Sequence, residues 1–597
     1  MKKFLINIFV LLFAVFAFVC FFVFLQTHHI WGHIHVEQIL VNLREGADVA
    51  SDKLIIGYII SIILGIVTAV AFSIILKKNT HLFYVSLLLC FVVLWQTGVF
   101  SYFLNKKIYS DIYEKEYINP KDLAFTFPQP KRNIIVAYIE SGEENYATDL
   151  KTNLIPTTYR LQKSSLSFEG FHQILYQDYT LAAMVQSMCA VPYRGSKLKG
   201  YEGYQNFLSN LVCYPEILQQ NGYETVFMKG ANISFARTDL FMKTHGFHHA
   251  FGAKELNQKF DKPLKEHTGG FGGYEDAALY DMVKQQLLKL SRKHKPFFLS
   301  FLTLDTHSPD YFLSPVCQGS SSRQEDVVQC ADFMLSDFIT WLKQQPFYEN
   351  TTLIVLGDHP QTGINRIYPK LHQRKIINFI LNPSPRFSKA PHQAWTTLDI
   401  APTILNAAGI SFNGAKFGLG RSLFENEPTL YEKFGHKLET ELLKSSHVYD
   451  SFEKVKNKKI PLYHIYEPLN TNISKPEDIK KFATYAKSSF GAVFLEELSF
   501  SFSKQPLNLQ LDVTFKTLLT KKRERTVKVF ANGTLIDTWY VFIKDKQPLH
   551  KKALIPASLI KNQKLLVRFD AEDIGALTET LGIGILDFSL HEISNNQ

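Results

Sequence analysis

The chain has 597 residues, enough for two or three domains with sizeable cores. Its net charge is +10, but the lysines are spread along the chain and form no basic run interleaved with aromatic residues. This pattern argues against nucleic acid as a partner and leaves anionic lipid headgroups as the better match for the charge.

Three apolar segments near the N-terminus, residues 4–25, 54–76 and 82–104, are long enough to span a bilayer. The first is too long for a signal peptide, and no small-residue cleavage site follows it. Lys2 and Lys3 precede the first segment, and Lys77 and Lys78 lie between the second and third, so both sites are predicted to be cytoplasmic. The prediction is a multi-pass protein of the bacterial inner (cytoplasmic) membrane, with everything after residue 104 on the periplasmic side.

Composition predicts how the chain divides into domains and connecting segments. Residues 1–105 are predicted to form a membrane anchor with three transmembrane helices, and the proline-containing segment 106–131 a linker. Residues 132–425 are predicted to form the catalytic domain, residues 426–476 a connecting region rich in Lys and Glu, and residues 477–597 a final domain.

In the predicted catalytic domain, residues 132–425, apolar runs typical of buried strands alternate with helical patterns. Strands are predicted at 133–139, 225–229, 297–304, 353–356 and 376–381, and helices at 276–293, 325–344 and 397–408. This alternation predicts an α/β fold with a doubly wound, mainly parallel sheet, which places ligands at the carboxyl ends of its strands. Beyond residue 477, short alternating segments and an Asn532-Gly533 turn predict an all-β sandwich.

Polar residues follow several of the predicted strands. Glu140 ends the first, and the adjacent pair Asp358 and His359 ends the fourth. Thr180 begins a short predicted helix, in which Leu181, Met184, Val185 and Met188 form an apolar face. Oxygen and imidazole ligands of this kind suit Zn2+ or Mn2+. We therefore predict one divalent metal at this edge of the sheet, where it would activate the Thr180 hydroxyl for phosphoryl or sulfuryl transfer.

Each of these residues also has a simpler interpretation. Glu140 alone could be a solvated loop residue, and the Thr180 hydroxyl could merely cap its helix. His307, which follows the third strand, could protonate a leaving alkoxide, or it could be a turn histidine packed on Pro309. The mapping of these distant residues to one sheet edge favours the functional interpretation.

Four cysteines lie in the part predicted to be exported, where disulfides persist. Sequence proximity favours the pairs Cys189 with Cys213 and Cys317 with Cys330 among the three possible pairings. A zinc site is the alternative, but no C-x-x-C spacing supports it.

Several segments resemble, in the same order, the alkaline phosphatase/sulfatase superfamily, and within it the membrane-bound phosphoglycerol transferase I and lipoteichoic acid synthase group. These segments are NIIVAYIES at 133–141, YTLAAMVQSMCAVP at 179–192, KGANISFA at 229–236, THGF at 244–247, LDTHSPD at 304–310, GDH at 357–359, DIAPT at 399–403 and GLGRS at 418–422. The resemblance covers about residues 132–424.

The resemblance implies that Glu140, Thr180, Asp358 and His359 bind the metal, with Mn2+ favoured over Zn2+, and that Thr180 is also the nucleophile. His307 would contact the transferred phosphoglycerol. Residues 270–276 would contribute Phe271 and Asp276 to the substrate pocket, although the family usually has Trp at the position of Phe271. Phenylalanine keeps an apolar wall there but lacks the indole N–H donor.

The resemblance further implies transfer of phosphoglycerol from phosphatidylglycerol, through a phosphoglycerol-threonine intermediate, to a hydroxyl of an envelope glycan, either a periplasmic glucan or a surface polysaccharide. A phosphoethanolamine transferase acting on lipid A or a glycan is the alternative enzyme. A membrane-anchored glycan-binding protein with a vestigial transferase domain is the non-enzyme alternative. A sulfatase is rejected, because the run from Cys189 to Pro192 has one residue too many for the formylglycine motif.

Overall fold

The structure, a computed structural model, describes residues 2–31, 52–76, 88, 90–95, 97, 108–174, 179–194, 207–308, 311–317, 324–361, 373–452, 493–495, 497–501, 508–516, 524–542, 549–560, 564–573 and 583–593. It divides into two compact units. The first comprises Met1–Lys197 and Asn206–Asn457, and the second comprises Leu198–Gln205 and Lys458–Gln597.

Two helices begin the first unit, α1 at Lys2–Trp31 and α2 at Asp52–Leu76. They pack on each other, with the rings of Phe18 and Phe72 edge to face at 5.3 Å and the hydroxyls of Thr27 and Tyr58 3.1 Å apart. Within the described residues, however, no helix combines the length and the apolar character required to cross a bilayer. Most of the third predicted span, residues 82–104, lies outside the described residues. The three-span topology therefore stays a prediction.

The α/β part of this unit contains short and long helices in the following order. They are α3 Ile112–Glu116, α4 Asn145–Thr148, α5 Pro156–Ser164, α6 Thr180–Cys189, α7 Tyr214–Gln220, α8 Thr238–Thr244, α9 Ala253–Lys259, α10 Asp276–Ser291, α11 Gln324–Lys343, α12 Ile400–Ala407, α13 Leu430–Phe434, α14 Lys437–Leu443 and α15 His447–Phe452. Its strands are β1 Phe125–Thr126, β2 Asn133–Ile139, β3 Glu224–Lys229, β4 His249–Phe251, β5 Phe297–Leu302, β6 Thr351–Gly357, β7 Asn378–Leu381, β8 Ser411–Phe412, β9 Lys416–Phe417 and β10 Gly420–Arg421.

The central sheet has six strands in the order β4-β3-β5-β2-β6-β7. The first five are parallel, and β7 runs antiparallel to β6 at the edge. The inner strands are buried on both faces, which explains their continuous apolar sequences. The prediction of a mainly parallel sheet is confirmed.

Helices cover both faces of the sheet. On one face Ile135, Ala137 and Ile139 of β2 belong to a core that also includes residues of α10 and α11. On the other face the Tyr138 hydroxyl lies 2.7 Å from Ser187 Oγ of α6. Alternate residues of one strand therefore contact different helix layers, and the residues that follow the strands can face α6.

The predicted linker, residues 106–131, and the predicted connecting region, 426–476, have contacts that their sequences did not suggest. Tyr109 forms an isolated parallel bridge with Ser445, and strand β1 pairs with β8. The buried Arg421 guanidinium donates to Glu116 Oε2 at 2.5 Å. In their described parts, the two segments therefore contact each other, and the predicted linker also packs against the α/β domain.

The second unit contains two four-stranded antiparallel sheets. The strands are β11 Val493–Leu495, β12 Glu497–Ser501, β13 Asn508–Lys516, β14 Glu524–Ala531, β15 Thr534–Phe542, β16 Leu549–Ile555, β17 Lys564–Asp573 and β18 Ile583–Ile593. The sheet orders are β11-β18-β13-β16 and β12-β17-β14-β15. Apolar residues of both sheets, among them Leu511 and Val529, share one buried cluster, which is the packing of a β-sandwich.

Candidate active site

Glu140 follows β2 and is held by the loop that follows β5. Its backbone N–H donates to Thr303 Oγ1 at 2.9 Å, and its carbonyl oxygen accepts from Thr306 Oγ1 at 2.5 Å. The next residue, Ser141, has a φ of 52° and donates through its hydroxyl to Glu140 Oε1 at 2.8 Å. The Ser141 hydroxyl therefore fixes the Glu140 carboxylate. Burial restricts it further, because only 1% of Glu140 is exposed.

Asp358 and His359 follow β6, the neighbour of β2. Asp358 Oδ1 accepts the backbone N–H groups of Ser141 and His359, at 2.9 and 2.8 Å. Asp358 Oδ2 is buried and has no hydrogen-bond partner among the described residues. His359 Nδ1 lies 2.9 Å from the Pro360 carbonyl, so we assign the proton to Nδ1 and the lone pair to Nε2. Asp358 thus offers a carboxylate oxygen, and His359 an imidazole nitrogen, to the centre of the site.

These groups converge on one point. One ligand atom from each of Glu140, Asp358 and His359 lies within 4.8 Å of the other two. His359 Nε2 is 3.6 Å from Glu140 Oε1 and 3.4 Å from Asp358 Oδ2. Burial, and then the negative charge of Glu140, raises the pKa of Asp358 to about 7. Two buried carboxylates facing an imidazole lone pair are the environment that a divalent cation would stabilise, so the residues fit the metal that the sequence predicted.

Thr180 stands beside this cluster. It is the first residue of α6, as predicted, and Tyr179 occupies the N-cap position. Residues 181–189 are all buried, which anchors the helix in the core. The Thr180 hydroxyl donates to Glu140 Oε2 at 3.2 Å. The hydroxyl therefore faces the predicted metal ligands, as the functional interpretation requires.

A disulfide holds the far end of the same helix. Cys189, the last residue of α6, is bonded to Cys213, which precedes α7. The second disulfide joins Cys317 to Cys330 of α11. These are the pairs that sequence proximity favoured.

The loop that carries His307 is held by two carboxylates. Asp276, the first residue of α10, accepts the backbone N–H groups of Leu304 at 2.7 Å and Asp305 at 3.1 Å. Asp305 Oδ2 in turn accepts the N–H of Asp276 at 3.1 Å. Both carboxyls are buried, and burial raises the pKa of Asp276 to about 7. The structure thus uses Asp276 to support the loop, and a direct contact with substrate stays a prediction.

His307 itself lies at the carboxyl end of β5, half-buried, and its backbone N–H donates to Leu304 O at 3.0 Å. Phe271 lies in the 3₁₀ turn Gly270–Gly272, but its side chain is outside the described part of the molecule. Sequence reasoning assigned no role to Thr303 and Thr306. The run of polar residues directly after an apolar strand was the one feature that could have indicated their function.

The site combines a cluster of potential metal ligands with a threonine at a helix N-terminus, and it lies at the carboxyl edge of a covered α/β sheet. This arrangement is expected of a metal-dependent esterase or transferase domain. Residues 132–410 match the sulfatase family model.

Among curated proteins, phosphoglycerol transferase I of Salmonella paratyphi B is 33% identical over 315 residues, which are 51% of this chain and 40% of that protein. The chain thus matches less than half the length of this relative. Two solved structures are similar at lower identity. Lipoteichoic acid synthase LtaP from Listeria monocytogenes is 19% identical with a TM-score of 0.38, and the match covers 51% of this chain and 79% of that one. Lipooligosaccharide phosphoethanolamine transferase A from Neisseria meningitidis is 12% identical with a TM-score of 0.42, and the match covers 68% of this chain and 84% of that one.

Proposed function

We propose that this protein is a metal-dependent phosphoglycerol transferase. It would take phosphoglycerol from phosphatidylglycerol, carry it on Thr180, and pass it to a hydroxyl of an envelope glycan. The observation that carries the proposal is the position of Thr180 Oγ1, 3.2 Å from Glu140 Oε2 within the Glu140, Asp358 and His359 cluster. The 33% identity to relatives named phosphoglycerol transferase I supports the choice of headgroup.

The metal would be held by Glu140, Thr180, Asp358 and His359. A divalent cation there would lower the pKa of the Thr180 hydroxyl and neutralise charge on the phosphoryl oxygens. The ligand set contains nitrogen and oxygen donors but no thiolate, which supports Mn2+ or Zn2+, and we propose Mn2+. The unpartnered Oδ2 of buried Asp358 supports a bound cation, because such an atom is costly without one.

The chemistry divides into two transfers. First, Thr180 Oγ forms a bond to phosphorus and releases its proton to solvent, while the bond between phosphorus and the diacylglycerol oxygen breaks. His307 would protonate the leaving alkoxide of diacylglycerol. In the second transfer, an acceptor hydroxyl attacks phosphorus and gives its proton to His307, the Thr180–phosphorus bond breaks, and the Thr180 oxygen takes a proton from solvent. The amides at the N-terminus of α6 would stabilise the phosphoryl charge in both.

A lipid donor requires the site to work next to a bilayer. The predicted location is the inner membrane, with the catalytic and C-terminal domains on the periplasmic side. Two disulfides in the α/β domain support an oxidising compartment. The β-sandwich is a second domain without a role in the chemistry above. We propose that the acceptor is a glycan, and that the β-sandwich either binds a glycan or serves to orient the catalytic domain.

The test uses the full chain in detergent or reconstituted in vesicles that contain either phosphatidylglycerol or phosphatidylethanolamine. We expect diacylglycerol release from phosphatidylglycerol only. Thr180→Ala should abolish release, and Thr180→Ser should retain part of it, because serine keeps the hydroxyl. Consumption of phosphatidylethanolamine instead would favour the phosphoethanolamine alternative. Undiminished release by Thr180→Ala would refute the proposal.

A further inference from the structure

Lys229 is the last residue of β3, and the sheet register places it on the face covered by α6. Lys229 lies beside Leu302 of β5, and Leu302 lies beside Tyr138 of β2. Neighbouring residues of parallel strands point to the same face, and the Tyr138 hydroxyl contacts Ser187 of α6. The preceding residue, Met228, belongs to the core on the opposite face, as the alternation requires. Lys229 thus shares a face with the helix that Thr180 begins.

The Lys229 side chain is buried, and among the described residues no carboxylate lies within ion-pair distance of its ammonium. The residue is 5% exposed. Among the described residues, its ammonium has no hydrogen bond and no ion pair. Burial lowers the pKa of Lys229 to about 8, although the negative charges of Asp239 and Glu140 act in the opposite direction. A buried ammonium without an ion-pair partner is costly, and residues with a pKa perturbed in this way are concentrated at functional sites.

The segment that covers Lys229 has an unfavourable backbone. The Lys229 ammonium lies 5.8 Å from the centre of the Phe235 ring. The next two residues, Ala236 and Arg237, have φ values of 53° and 60°, in the left-handed region that side chains disfavour. Two consecutive residues of this kind cost free energy, and such strain is concentrated at ligand-binding and catalytic sites. Phe235 itself is 43% exposed above the lysine.

We propose that Lys229 is the second cationic group of this active site, and that its ammonium binds a non-bridging oxygen of the phosphoryl group during transfer. The inference rests on the proposed phosphoglycerol transfer and adds a residue to it. Asp239 and Glu140 are the two carboxylates whose charge acts on the Lys229 ammonium, and Lys229 ends a strand at the same sheet edge as Glu140. The phosphodiester brings an anion, and Lys229 is the buried cation that meets it. The contact strengthens as charge develops on the phosphoryl oxygens, which is how a fixed cation lowers a barrier.

The test compares Lys229→Met with the wild type in the full chain. Lys343→Met is the control, because Lys343 is an exposed lysine at the far end of α11. We expect Lys229→Met to lower kcat for diacylglycerol release by about 100-fold or more, the usual effect of losing one transition-state contact. Bound metal should be unchanged. Glycerol 1-phosphate should raise the melting temperature of the wild type and of Lys343→Met, but not of Lys229→Met.

The possible results separate the two proposals. If Lys229→Met keeps wild-type kcat while Thr180→Ala is inactive, the role of Lys229 is overturned and the phosphoglycerol transferase stands. If Lys229→Met loses activity and melts below the wild type, the lysine is structural, and the inference is again overturned. Lost activity, an unchanged metal content and an equal or higher melting temperature would support it.

Discussion

Replacing Lys229 with methionine is expected to stabilise the ligand-free protein while it removes activity. Methionine keeps the unbranched apolar stem and removes the charge. Burial lowers the pKa of Lys229 from its usual 10.5 to about 8. Each pKa unit corresponds to about 1.4 kcal/mol, so the buried ammonium costs the fold about 3 kcal/mol near pH 7. The variant should unfold with a free energy larger by about that amount.

The pH dependence has a definite sign. The folded pKa of Lys229 lies below the unfolded one, so between pH 8 and 10.5 the unfolded chain binds more protons than the folded protein. The cost is therefore complete below pH 8 and disappears as the pH approaches 10.5. The stability difference between Lys229→Met and the wild type should be largest at pH 7 and should shrink toward zero near pH 10.

Chemical denaturation of the full chain at pH 7, 8.5 and 10 measures this difference, with Lys343→Met as the surface control. A variant that is less stable than the wild type at pH 7 would refute the reasoning, because it would mean that the ammonium has a counter-charge in the ligand-free fold. A stability difference that does not change between pH 7 and 10 would show that its origin is not the charge.

Three further predictions concern the supporting structure. Asp276→Ala leaves two buried backbone N–H groups without an acceptor and should cost about 2–4 kcal/mol in unfolding free energy. The kcat of this variant should also fall, because the loop that carries His307 is released. Full activity would contradict the role of Asp276 in supporting that loop. Cys317→Ser removes the disulfide to Cys330, which has a sequence separation of 13, and should lower the free energy of unfolding by about 3 kcal/mol. A reductant should cause the same loss in the wild type. Equal stability of the oxidised and reduced wild type would contradict this prediction. Glu140→Gln should lower bound metal at least ten-fold by elemental analysis without unfolding the domain, and wild-type metal content in this variant would exclude Glu140 as a ligand.

Local patterns were sufficient for the elements that carry the chemistry. The apolar run of β2 followed by Glu140, and that of β6 followed by Asp358 and His359, defined two strand ends from sequence, and the structure shows that these strands are neighbours. The helical spacing after Thr180 placed the first turn of α6 at the correct residue. In each case a buried strand or an amphipathic helix fixes the position of the polar residue next to it, so the local sequence carries the information.

Contacts between residues that are distant in sequence could not be predicted from local sequence patterns. The connection between β6 and β7 is long enough for either strand direction, so the antiparallel pairing of β7 could not be predicted. The exchange of backbone contacts between Asp276 and Asp305 joins residues 29 positions apart. Lys229 resembled any lysine at a strand end, and its importance lies in burial that depends on the folded sheet and on the cover formed by Phe235.

Mass spectrometry of the protein after brief incubation with phosphatidylglycerol vesicles tests the central claim most directly. A wild-type peptide that contains Thr180 should gain the mass of one phosphoglycerol group, with the modification on the threonine side chain. Thr180→Ala should remain unmodified under the same conditions. Diacylglycerol release without any covalent modification of Thr180, or a modification on another residue, would contradict the account.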